Sequence, residues 1–218
     1  MTVMSRPGKF NGITIKNENV IHDEISIFTL ANILDLEQSE LICAYRRGSR
    51  AIGTFRENSD HDFVAVFEKA IDGHLIKDGN IDISTYTPNY FIKILEEQCI
   101  WALEAIYCPT ELIIVENINY REYVENYREN NLEKCNSDLI HSVGLETALK
   151  ISVAKKYKRI NNLDKASKHL FIAVRFSNYG VQIKNDGKID IKSVNNLYSN
   201  FDWDGWIKII RSNKAKLY

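Results

Sequence analysis

The sequence predicts an α/β protein with a mixed front half and a helical back half, and three observations carry that reading. Short runs rich in β-branched and aromatic residues recur in the first hundred positions, at 41–46 (LICAYR), 62–68 (DFVAVFE) and 81–86 (IDISTY), separated by polar turns. From residue 119 to 180 there is almost no strand signal, and apolar residues recur at helical spacing instead. The chain is 44% apolar and 26% charged over 218 residues, enough to build a core in one large domain or a compact two-lobed one.

Residues 1–20 are polar and turn-rich, with Pro7-Gly8 and Asn11-Gly12, and read as an N-terminal arm. From Asp23 the apolar positions Ile25, Ile27, Phe28, Leu30, Ala31 and Leu34 set out a helix running to Leu36. The run at 41–46 is then a buried strand that stops at Gly48, and 62–68 continues the sheet. A polar loop around Asp72-Gly73 and Asp78-Gly79 leads to a third strand at 81–86. Pro88 stands where a helix begins, and apolar residues from Phe91 to Ile106 mark that helix over 89–106. Three amphipathic helices follow at 119–130, 136–160 and 163–180, with Asn178-Tyr179-Gly180 as a stop and a short extended stretch at 181–184. A last helix runs from Trp203 to Leu217. The expected division is a front domain over 1–115, with its arm at 1–20, and a mainly helical domain over 116–218.

The chemistry gathers where the first two strands meet. A strand ends in Arg46-Arg47-Gly48-Ser49, where glycine lets the backbone approach a phosphate and Ser49 adds a hydroxyl. On the next strand Asp60 and Asp62 are two positions apart, so both carboxylates project from one face. Hard oxygen ligands at that spacing suit Mg²⁺. Asp82, on the third strand, brings another carboxylate to the same edge. Three carboxylates around two metal ions are what an in-line phosphoryl displacement uses.

The run GSRAIGTFRENSDHDFVAVF resembles the signature of polymerase-β-type nucleotidyltransferases. Within that superfamily it is most similar to the bacterial and phage predicted nucleotidyltransferases described as RNA-repair-pathway polymerase-β-like proteins. Their first motif, GSRxxGxxxxxSDxDxxxVF, is met by Gly48, Ser49, Arg50, Gly53, Ser59, Asp60, Asp62, Val66 and Phe67. A second block matches at Asp82, Tyr86, Phe91, Leu95, Leu103-Glu104 and Ile106-Tyr107. A third, looser block matches at Lys165, His169, Arg175, Gly180, Gln182, Ile183, Gly187 and Ile189, with a longer His-to-Arg interval than the family pattern. The resemblance implies a nucleotidyltransferase fold, a short mixed sheet flanked by helices with a C-terminal helical lobe. It implies that Asp60, Asp62 and Asp82 are catalytic and hold two Mg²⁺ (or Mn²⁺) ions, and that Gly48, Ser49 and Arg50 bind the triphosphate. The expected reaction transfers an NMP from an NTP, ATP as the first choice, to an acceptor hydroxyl with release of pyrophosphate. An RNA or tRNA end is the first-choice acceptor. A regulatory or toxin-like enzyme acting on a protein or small molecule, and a non-catalytic nucleotide-binding module, are the alternatives.

Between Lys150 and Arg175 stand eight bases against the single acid Asp164. That stretch either tracks a nucleic-acid acceptor, holds the nucleotide's phosphates (Lys168 and Arg175 being the chosen pair), or is a solvated helical face. His61 alternates away from the Asp pair and reads as a packing residue, Glu104 as a buried partner for an arginine, and Trp101, Trp203 and Trp206 as packing residues. Arg46, Arg47 and Arg56 flank the phosphate loop and suit either phosphate or a salt bridge. A formal net charge of −1 excludes a generally basic nucleic-acid binder. Cys43, Cys99, Cys108 and Cys135 show no metal or disulfide spacing, and with no signal peptide and no apolar run of about 18 residues the expectation is a cytoplasmic protein without membrane contact.

Overall fold

The computed structural model describes residues 25–54, 59–130, 137–194 and 202–218; the expected arm, Arg56 and Cys135 lie outside them. The first helix, α1 (Ile27–Leu34), starts at Ser26, whose hydroxyl accepts from the Thr29 N–H, and stops at Asp35 in the left-handed region. The strands are β1 (Cys43–Arg47), β2 (His61–Val66), β3 (His74–Asp78), β4 (Ile81–Tyr86) and β5 (Ile113–Glu116), with α2 (Gly48–Ile52) between β1 and β2. They form one mixed sheet in the order β3-β4-β2-β1-β5, in which β2 and β4 are parallel and every other pair is antiparallel.

Alternation along the strands divides the core in two. Ala44, Phe63, Ala65, Ile81 and Ile83 face Leu30 of α1. Cys43, Tyr45, Val64, Val66 and Tyr86 face the other way, into the helices that follow. Each fully buried Phe, Leu or Ile among them contributes about 1.5–3 kcal/mol. The second cluster is continuous from the sheet to the last helix, taking in Leu170 and Val174 of α7 (Leu163–Asp186) and Ile210 of α8 (Trp203–Leu217). Between β5 and α7 lie α5 (Ile118–Asn130) and α6 (Ser137–Arg159). Tyr45 donates its hydroxyl to Glu116 at 2.6 Å, and Arg128 of α5 reaches the same carboxylate oxygen at 3.4 Å, tying edge strand β5 to the core. Among the described residues no helix is long and apolar enough to cross a membrane.

The architecture is the expected α/β one, with local differences. The segment expected to be a loop before β4 contains β3, whose five residues leave no side chain buried and so carry no hydrophobic alternation. β5 was not among the expected strands. The helix expected over 89–106 is two helices, α3 (Pro88–Glu96) and α4 (Ile100–Ile106), which change direction at Gln98 with φ of 51°. Helix α7 runs past Gly180 to Asp186, with Gly187 as its left-handed cap, so the extended stretch at 181–184 is helical instead.

Gly180 is a packing glycine and no stop. A Cβ there would meet Val143 of α6 at 2.9 Å and Leu217 of α8 at 3.2 Å, so the missing side chain lets three helices close. Gly180→Val is expected to cost about 1–3 kcal/mol by overpacking, read as a lower urea midpoint at unchanged slope. A variant as stable as the parent would contradict this packing.

Candidate active site

The site begins with strand register. Arg47, the last residue of β1, is the Cα partner of Asp62 in β2. Asp62 is the partner of Asp82 in β4, and Asp82 is the partner of Lys77 in β3. Paired residues share a sheet face, so four strands present one rung in the order Arg47, Asp62, Asp82, Lys77. Asp60 is exposed just ahead of β2. His61 alternates to the other face and is buried, as its place between the two acids predicts.

Gly48 follows the rung residue Arg47 with φ of +69°. A Cβ on it would fall 2.1 Å from Asp62 Oδ2, so two constraints coincide at one position: left-handed backbone and no room for any side chain. Arg50 donates from Nε and Nη2 to the Ser59 carbonyl at 3.1 and 2.9 Å, fixing the chain just before Asp60. Of the sequence-predicted residues, Gly48, Ser49, Asp60, Asp62, Lys168 and Arg175 line a single cavity of about 570 Å³, within the range of about 300–1,000 Å³ usual for small-molecule sites. Arg50 and Asp82 lie outside that lining. Asp82 is instead bonded to the Lys77 ammonium.

Helices α6 and α7 close the cavity from the opposite side. Lys150, Lys165 and Lys168 bring ammonium groups, Asp164 one carboxylate, and Phe171 and Phe176 an apolar wall. Arg175 is 5% exposed, and its Nη2 contacts both oxygens of Glu104, which is 2% exposed, at 2.9 and 3.1 Å. Its Nε is buried without a hydrogen-bond partner, so the guanidinium is not fully satisfied. Sequence reasoning placed Glu104 against an arginine but had no means of pairing it with one 71 positions away. Beside the lysines, His169 stacks on Tyr157 with centroids 5.5 Å apart, and Lys165 lies 5.4 Å over the Tyr157 ring. Burial, then the charges of Lys150, Lys168 and Lys165, push the His169 pKa down.

Asp62 is pushed up from the ordinary aspartate range, chiefly by burial, with Arg47 and Lys168 opposing and the like charges of Asp82 and Asp60 adding to it. Among the described residues no three His, Cys, Asp or Glu side chains converge to hold a metal ion. The donor set that fits one is Asp60 with Asp62, two hard carboxylates at the cavity wall.

No protein-family model matches the chain, and no curated protein matches it. Among solved structures it is similar to a nucleotidyltransferase-like protein from Exiguobacterium sibiricum 255-15, at 10% identity and a TM-score of 0.31 over 82% of this chain and 67% of that one. A likeness at that level carries no argument about the site.

Two measurements check the geometry. Glu104→Ala strands a buried guanidinium and is expected to cost about 3–5 kcal/mol in urea unfolding, whereas a loss within the error of the fit would place the pair in solvent. Asp62 keeps its proton to higher pH in the folded chain than in the unfolded one, so its ionisation lowers stability as pH rises through that window. In chelator-treated buffer Asp62→Asn should therefore melt above the parent at neutral pH, with the gain gone below the ordinary aspartate range. A melting temperature unchanged or lowered at neutral pH would mean that burial does not hold the proton on Asp62.

Proposed function

We propose that the chain is a metal-dependent nucleotidyltransferase that moves an NMP from an NTP, ATP by preference, to an acceptor hydroxyl. An RNA end such as that of a tRNA is the proposed acceptor, and the RNA-repair-pathway polymerase-β-like proteins are the proposed relatives. The observation that carries the reading is one cavity in which Gly48-Ser49 and the Asp60–Asp62 pair face three lysines across a space of nucleotide size.

Each part of the cavity has a task in that reaction. Lys150, Lys165 and Lys168 neutralise the triphosphate as point charges, and Ser49 donates a hydroxyl to it. Gly48 lets backbone come to contact distance, since nothing projects from it. Phe171 and Phe176 thin the water on that wall, which strengthens every charge interaction in front of them. Asp60 and Asp62 would hold Mg²⁺ or Mn²⁺, which supplies Lewis-acid stabilisation at the phosphate oxygens when bound. Asp82, beside Asp62 in register, orients the acceptor hydroxyl. The acceptor oxygen bonds to the α-phosphorus, the bond from that phosphorus to pyrophosphate breaks, and the hydroxyl proton passes to a carboxylate.

The choice of RNA rests on what adjoins the lysines. Aromatic rings and cations interleave there: the Tyr157–His169 stack, Lys165 over Tyr157, and Lys158 lying 4.1 Å over the Trp203 ring. Such surfaces suit unpaired bases on a charged backbone.

The test is incubation with each α-labelled NTP, Mg²⁺ or Mn²⁺ and total cellular RNA, beside an Asp60→Ala/Asp62→Ala control. Label is expected in RNA with the intact protein alone. Equal labelling by the double variant would overturn the proposal, and label entering protein instead of RNA would overturn the acceptor.

A further inference from the structure

Resting on that reading of the cleft, we infer that Lys77 is a built-in second cation of the active site, so that the site takes one divalent ion instead of two. The rung Arg47, Asp62, Asp82, Lys77 places a cation at each end of two adjacent carboxylates. The Lys77 Nζ is bonded to Asp82 Oδ2, the carboxylate beside which a second ion would sit. The charges of Asp60 and Asp62 also act on Lys77, so its ammonium lies within the field of all three acids. Among the described residues the three carboxylates do not form a metal-holding group: Asp82 is bonded to the lysine, and Asp60 and Asp62 line the cavity.

Strand geometry makes this a built feature. Antiparallel pairing of β3 with β4 fixes Lys77 opposite Asp82, and alternation sends both side chains to the face that carries Asp62. The side chain is 61% exposed, so its stem reaches over the sheet edge from solvent while its head stays on the acid. An ammonium at that place brings three donors. One serves Asp82, and another is free to meet the acceptor oxygen, so Lys77 is a positioning residue for the acceptor as well as a counter-ion. Unlike a metal ion, it does not dissociate as the divalent concentration falls.

The experiment counts ions on the full-length chain by electron paramagnetic resonance of free Mn²⁺ during titration, for the parent, Lys77→Met and Lys77→Arg, with circular dichroism to show that each is folded. The expected result is one Mn²⁺ on the parent, two on Lys77→Met and one on Lys77→Arg, where a cation is restored. Two ions on the parent, or one on both the parent and Lys77→Met, would overturn the role of Lys77 while leaving the cleft reading intact. No ion on any of them would overturn the cleft reading, and this inference with it.

Discussion

The rest of the structure depends on strand register. Side chains on a sheet alternate with period two, so a slip of one residue between β2 and either neighbour would send Asp62 or its partner into the opposite core. The register is held by apolar residues on both faces: Phe63 and Ala65 pack toward α1, and Val64 and Val66 toward the C-terminal helices. Burial on two sides leaves β2 a single energetically acceptable alignment. The positions of Arg47, Asp62 and Asp82 are thus decided by apolar neighbours that lie away from the cleft.

A second constraint comes from the far wall. Glu104 on α4 and Arg175 on α7 are both almost wholly buried, and an ion pair there gains less from attraction than it loses in hydration unless its geometry is good. Two contacts from one nitrogen leave the guanidinium only partly satisfied. A pair of that kind is a poor contributor to stability and a good device for holding a cation at a fixed depth. It joins the sheet-packed helices to the helix that carries Lys165 and Lys168.

What could be read from the sequence, and what could not, follows from which features are local. β1, β2 and β4 announced themselves because each has a buried face, and the Gly48 turn and Asp60–Asp62 spacing are set by neighbours in sequence. β3 escaped because an exposed edge strand needs hydrogen bonds and no apolar pattern; with it went any view of Lys77 beside Asp82. The break at Gln98 was hidden by apolar residues that continue in helical phase across it. Gly180 looked like a terminator because a glycine that ends a helix and one that lets helices touch are the same letter, told apart only by Val143 and Leu217. The lysines were visible as charge, yet their convergence opposite Asp60 and Asp62 belongs to tertiary packing alone.

The parallel pairing of β2 with β4 has a consequence for how such a site can be assembled at all. Bare carboxylates on neighbouring strands repel, which opposes the contact that completes the sheet. Here each acid also belongs to its own antiparallel pair, Asp62 with Arg47 and Asp82 with Lys77, the latter across the short turn at Gly79. When the two ladders dock, each carboxylate arrives with a cation opposite it in register, Arg47 for Asp62 and Lys77 for Asp82, and those charges oppose the repulsion between the two acids.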